Sequence, residues 1–138
     1  MTAFSNAFET DLLELLFQDT AIPWEAAATN LYVSLHTGSP GDAGDQTTNE
    51  AAYTSYARVA VVRSGSGWTV SGDTASNAAA VTFPAATGGS ETETHSAIGT
   101  DASGTGNPIF HGALSANLAV STGITPEFAI GALTITLD

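Results

Sequence analysis

The chain has 138 residues, two basic and fourteen acidic side chains, no lysine, no cysteine and a formal net charge of −12. Its two cations, Arg58 and Arg63, cannot offset that surplus on a phosphate backbone, which excludes nucleic acid, anionic membranes and phosphate-rich cofactors as partners. Without cysteine there is no thiol catalysis, disulfide or thiolate metal site.

The length suits one domain with a core of its own. Hydrophobic residues make up 43 % and charged residues only 12 %, so the polar surface is mostly hydroxyl, amide and backbone. Met1–Asn6 has neither the basic start nor the apolar run of a signal peptide. No apolar stretch approaches the ~20 residues that span a bilayer. The expectation is a soluble product, cytosolic where it is made.

Residues 4–19 read as a helix. Asn6 is a good N-cap with Glu9 at capping-box spacing. Phe8, Leu12, Leu15 and Leu16 recur at helical spacing, and Leu13 and Phe17 widen the apolar side. Such a helix packs on its own domain or also on a neighbouring subunit. Pro23 ends it, and residues 1–25 form a helix and connector ahead of a β domain over residues 26–138.

From Asn30 the period becomes two. Leu31, Val33 and Leu35 alternate with Tyr32, Ser34 and His36, a half-buried strand. Gly38 to Asn49 is a long loop by composition, and loops of that length often serve contact. Tyr56–Arg63 is the next strand, with Val59 and Val61 on one face. Gly65-Ser66-Gly67 turns the chain, and Trp68–Ser71 starts a hairpin partner. Ala79, Val81 and Phe83 mark a strand ended by Pro84. Residues 91–98 alternate Glu91, Glu93, His95 and Ala97 with Thr92, Thr94, Ser96 and Ile98, and the three charged or titratable side chains share an exposed face. Strands at 109–114, 118–121 and 128–137 follow, the last with a bulge at Gly131. The fold class expected is mainly β: an antiparallel, jelly-roll-like sandwich of about eight short strands preceded by one α-helix.

Motifs for chemistry are missing. His36, His95 and His111 form no local pair at metal spacing. Asp42, Asp45, Asn49 and Glu50 cluster in the loop without the alternation of a calcium site. Ser64 stands where a nucleophile elbow around Ser66 needs glycine, and a P-loop is impossible without lysine. Trp24, Trp68, Tyr32, Tyr53 and Tyr56 suit either a sugar-stacking surface or a core. We therefore expect no enzyme activity, no metal and no cofactor.

The blocks Asn30–Thr37, Pro40–Gly44, Asn49-Glu50, Tyr56–Val59, Ser76–Pro84, Phe110–Leu114 and Gly131–Leu137, in this order, resemble a family of small virion proteins of tailed bacteriophages, often labelled tail-fibre-like or minor structural. The resemblance spans nearly the whole chain and brings no catalytic residues. A fibre shaft needs a long repeating or coiled segment, and the sequence shows none. Resemblance and compactness together imply a capsid decoration (cement) protein that binds the outside of the shell and bridges major capsid proteins, as a homotrimer. It would be assembled in the host cytoplasm and sit on the virion surface. A tail fibre or adhesion module binding a cell-surface glycan is the alternative. The contact residues expected are Phe4, Phe8, Leu12 and Leu16 in the helical segment and Asp42, Asp45 and Asn49 in the loop.

Overall fold

A computed structural model describes residues 3–25 and 28–137. Met1, Thr2, Ala26, Ala27 and Asp138 lie outside the described residues, so the expected boundary between residues 25 and 26 falls at that gap. The elements run β1 (Ala3–Phe4), α1 (Asn6–Gln18), β2 (Asn30–His36), β3 (Val59–Val62), β4 (Trp68–Ser71), β5 (Thr74–Asn77), β6 (Val81–Thr82), β7 (Ser90–Gly99), β8 (Pro108–Ser121), β9 (Glu127–Phe128) and β10 (Thr134–Thr136). The chain is mainly β with one N-terminal helix, as the alternation predicts, and every strand pairing is antiparallel. A five-stranded sheet of order β1-β8-β7-β2-β3 joins smaller sheets β10-β5-β4 and β6-β9 in a sandwich-like arrangement.

The strand count is ten among the described residues rather than about eight. The expected strands at 109–114 and 118–121 are one strand, β8. It is interrupted where Glu93 pairs with Leu118 and His95 with Ala113, leaving Leu114–Asn117 opposite Thr94 alone. The expected strand 128–137 is instead split between two sheets. Gly131 adopts a left-handed φ of 74° between its halves, a turn rather than a bulge. The buried Asn77 side chain holds that kink. It donates to Ala79 O at 2.8 Å and Ala129 O at 2.9 Å, and accepts from Leu133 N–H at 2.9 Å.

The core gathers Val33 and Leu35 of β2, Val81 and Phe83, Ile98, Val120, Leu133 and Ile135. Tyr53, Tyr56, Phe83 and Phe128 form a chain of ring contacts with centroids 5.3, 6.3 and 6.3 Å apart. Two of the aromatics weighed as a sugar platform are therefore core residues. The Tyr53 hydroxyl donates to Pro84 O at 2.9 Å. Tyr56 donates to Glu50 at 3.0 Å and accepts from Leu35 N–H at 3.1 Å. Burial pushes the Tyr53 phenol up to about 12 and raises that of Tyr56 further.

Strand β2 is not half-buried. Ser34 and His36, on the face expected to be wet, are fully buried. His36 bonds Ser34 Oγ through Nε2 at 2.8 Å and Thr48 O through Nδ1 at 2.9 Å. The loop therefore covers the polar face of the sheet, and burial lowers the His36 pKa.

The exposed face expected for Glu91, Glu93 and His95 is also overturned. Glu93 is fully buried, and neither carboxyl oxygen accepts a hydrogen bond. The register shift between Glu93 and His95 breaks the simple alternation, so period-two reading fails across it. Glu91 is half-buried and accepts from Ala52 and Tyr53 N–H, both at 2.8 Å. Burial, then the neighbouring Glu91, pushes the Glu93 carboxyl up to about 8.

Candidate docking surface

Helix α1 starts one residue earlier than its expected cap. Ser5, not Asn6, is the N-cap, with its side chain accepting from Phe8 N–H at 3.3 Å. The capping box is lost because the residue at the reciprocal position is Phe8 rather than a carboxylate. Ser5 is buried, and its N–H donates to Ile109 O, which pins the helix start to β8. Asp19, at a left-handed φ of 54°, closes the other end.

None of the helix residues is buried. Phe8 and Leu12 are half-buried, and Phe8 belongs to an aromatic cluster. Phe4 lies opposite Phe110 in register and 4.9 Å from it ring to ring. Phe8 stands 5.2 Å from Phe4, 5.9 Å from Phe110 and 6.1 Å from Trp24. Trp24 donates its indole N–H to Asp11 at 3.2 Å and carries the Arg63 guanidinium 5.5 Å over its ring. This cluster holds the first half of α1.

The second half stands clear of the body. Leu13, Leu16 and Phe17 share one face at i, i+3 and i+4 and are 57 %, 66 % and 80 % exposed. Leu15 is exposed as well. A lone helix of 13 residues is marginal in water and depends on packing an apolar face. Here that face points largely into solvent.

A second apolar feature is a groove of about 670 Å³ lined by Leu31, Trp68, Val70, Ile98, Ile135 and Leu137, among others. Arg63 and Asp73 are the charged residues on its lining. The Trp68 indole N–H is buried with no partner. Val70 and Leu137 are exposed along it.

The loop residues expected to make contacts are largely engaged within the chain. Asp42 is exposed and accepts from His111 Nε2 at 3.1 Å, while its carbonyl accepts from Asn6 N–H at 2.8 Å. Asp45 takes Thr47 N–H at 2.8 Å and Thr47 Oγ1 at 2.6 Å, and these bonds hold its pKa below the usual carboxylate range. Asn49 is exposed at a left-handed φ of 54° and donates to Ser39 O at 2.9 Å. The structure thus brings Phe4 and Phe8 together, sets Asp42 and Asp45 in one concavity with Asn6 and Ala7 at the helix start, and shows no contact of Leu16 or Asn49 with them.

Sequence reading missed two residues that tie the long loop to the segment around Asp101. Gln46 is fully buried; its side chain donates to Asp101 O at 3.3 Å and accepts from Asp101 N–H at 2.9 Å. Arg58 grips Glu50 through Nε at 2.6 Å and Nη2 at 2.8 Å, and also donates to Asp101 O and Gly104 O. One of only two arginines in an acidic chain was the available signal for the second. A glutamine in a polar loop gave none for the first.

Among the described residues, no three His, Asp or Glu side chains are grouped to hold a metal ion. No described helix is long and apolar enough to cross a membrane. What the fold defines is a small β-rich module that exposes several large apolar side chains, among them Leu16, Phe17, Val70 and Ile130.

The chain belongs to the family described as podophage GP4 fiber I protein gp80, whose model matches residues 3–136. It is therefore a phage virion structural protein, as the ordered sequence blocks imply. No curated protein matches it.

Proposed function

We propose that this chain is a non-enzymatic fibre component of a phage virion that works by docking on neighbouring virion subunits. The observation that carries this reading is the apolar face of α1, with Leu13, Leu16 and Phe17 exposed on a chain otherwise rich in hydroxyl and acidic residues. Monomers rarely leave such a patch uncovered. The family's description supports the fibre. Phe4 and Phe8 anchor the helix, Leu12 and Leu16 extend its contact face, and the exposed Asp42 and Asn49 add a polar rim. Asp45 acts through the shape of the loop.

The second reading is a capsid decoration protein, a homotrimer on the major capsid protein at the outer shell. The compact sandwich-like body, with no shaft-like segment among the described residues, favours it. Quantitative proteomics of purified virions, joined with a cryo-electron-microscopy map, decides between them. Tens of copies at the tail support the fibre, whereas hundreds spread over the shell support decoration. Absence from the particle, or turnover of a small molecule by the purified chain, overturns both.

A further inference from the structure

We propose that Glu93 stays a carboxylic acid and lends its proton to Glu91 Oε2, so that one proton held between two carboxyls latches Ala52 and Tyr53 to β7, and its loss lets them go.

Glu93 is fully buried, and neither of its oxygens accepts a hydrogen bond. A buried carboxylate without donors is strongly disfavoured against the acid, and the acid O–H needs an acceptor of its own. Glu91, two positions back on the same face of β7, stands within hydrogen-bond reach. Its Oε1 already takes both backbone donors, Ala52 N–H and Tyr53 N–H, each at 2.8 Å. Oε2 is therefore left for the proton.

No opposite charge competes for Glu93. Across β8 the register partners of Glu91, Thr92 and Glu93 are the uncharged Val120, Ala119 and Leu118. Tyr53 lies near both carboxyls, but its hydroxyl donates to Pro84 O. His95 of β7 is engaged by the Thr94 hydroxyl, and His36 of β2 by Ser34 Oγ and Thr48 O. Among the described residues, no cation acts on Glu93.

When the proton leaves, two negative carboxyls stand side by side. Glu93 is sealed in, whereas Glu91 is half-buried and free to swing to water. Its departure releases the two N–H groups. The segment stays fixed on either side, because Ala51 N–H donates to Leu35 O and Thr54 N–H to Gly88 O, both at 2.9 Å. Movement is thus confined to Ala52 and Tyr53. The open form, with Glu93 in water, holds the proton less tightly than the closed form. Opening therefore grows as pH rises past 4.5 and levels off above about 8, where the closed form ionises too.

NMR of the full chain from pH 5 to pH 9 tests this through amide exchange and the side-chain carboxyl carbons. Protection of Ala52 and Tyr53 N–H, corrected for intrinsic rates, should lie below that of the β2 core amides. It should fall by up to about tenfold per pH unit before levelling off. In Glu93→Gln, whose amide donates to Glu91 at every pH, that protection should stay flat. The Glu93 carboxyl carbon should titrate well above 4.5 in wild type. It should titrate lower in Glu91→Gln, which keeps an acceptor for both N–H groups but no like charge. A Glu93 carbon that titrates at the ordinary value overturns the proposal with no variant needed. So does a Glu93 titration unmoved by Glu91→Gln, or exchange of Ala52 and Tyr53 only in step with the β2 core.

Discussion

Glu93 gives the sharpest test of the energetics. Its carboxyl is fully buried, accepts no hydrogen bond and lies beside Glu91. Below the ordinary value of 4.5 it is neutral in both folded and unfolded chains and carries no charge penalty. As pH rises past 4.5 the unfolded chain releases the proton, while the folded chain keeps it until about 8. Stability must fall across that window and level off above it. At about 1.4 kcal/mol per tenfold change in proton affinity, the fall is bounded at about 5 kcal/mol. Opening of the irregular register at Thr94 would let water reach the carboxylate, so the expected loss is about half of that bound.

Glu93→Gln keeps the shape and cannot ionise. Urea unfolding of both chains from pH 4 to pH 9 isolates the effect, because every other titrating group is common to both. The stability difference between them should shift in favour of Glu93→Gln by about 2–3 kcal/mol between the two ends, most steeply between pH 5 and pH 8. Parallel pH profiles would show that Glu93 ionises freely in the folded chain and that its burial costs nothing.

Three further outcomes follow from the geometry. Arg58→Ala leaves Glu50 without its cationic partner, with the Tyr56 hydroxyl alone still donating to it, and strips donors from Asp101 O and Gly104 O; urea unfolding should register a loss of about 3–5 kcal/mol, with little rescue by Arg58→Lys, which lacks the two-pronged grip. Gly106→Ala places a methyl group on Gln46 Oε1 and beside Asp101, at a left-handed φ of 39°, so Gln46 must leave its seat and the melting temperature should drop by several degrees, about 2–3 kcal/mol in stability. Ser5→Ala removes the side-chain acceptor for Phe8 N–H and should cost about 1 kcal/mol, seen as early loss of helical circular dichroism on heating.

How far the sequence could be read depended on whether one period held across an element. The helix, β2 and the β4 strand were legible because each keeps one period from end to end. Strand β5 escaped notice because Thr74-Ala75-Ser76-Asn77 carries no large apolar residue; its pairing with β4 and β10 supplies what propensity does not. The split of residues 128–137 depends on Asn77, more than fifty positions away, and no local pattern encodes that. Wetness misled twice. Ser34-Leu35-His36 and Glu93 look polar and therefore outward, yet a folded-back loop covers the first and a register break accompanies the second. Of the residues expected to meet a partner, Phe4 and Phe8 were legible as apolar, but their packing on Phe110 of the same chain was not. Nor was the exposure of Leu16, because periodicity shows that a face is apolar without showing what covers it.

The two glycine-containing stretches around Gln46 and Gly104 look like ornament on a β body. They are in fact sewn to it, since Arg58 and Gln46 between them take both the carbonyl and the amide of Asp101. Segments tied this way cannot breathe one at a time. The Gln46 and Asp101 amides, each bonded across the tie, should therefore exchange with solvent as slowly as those of the central strands.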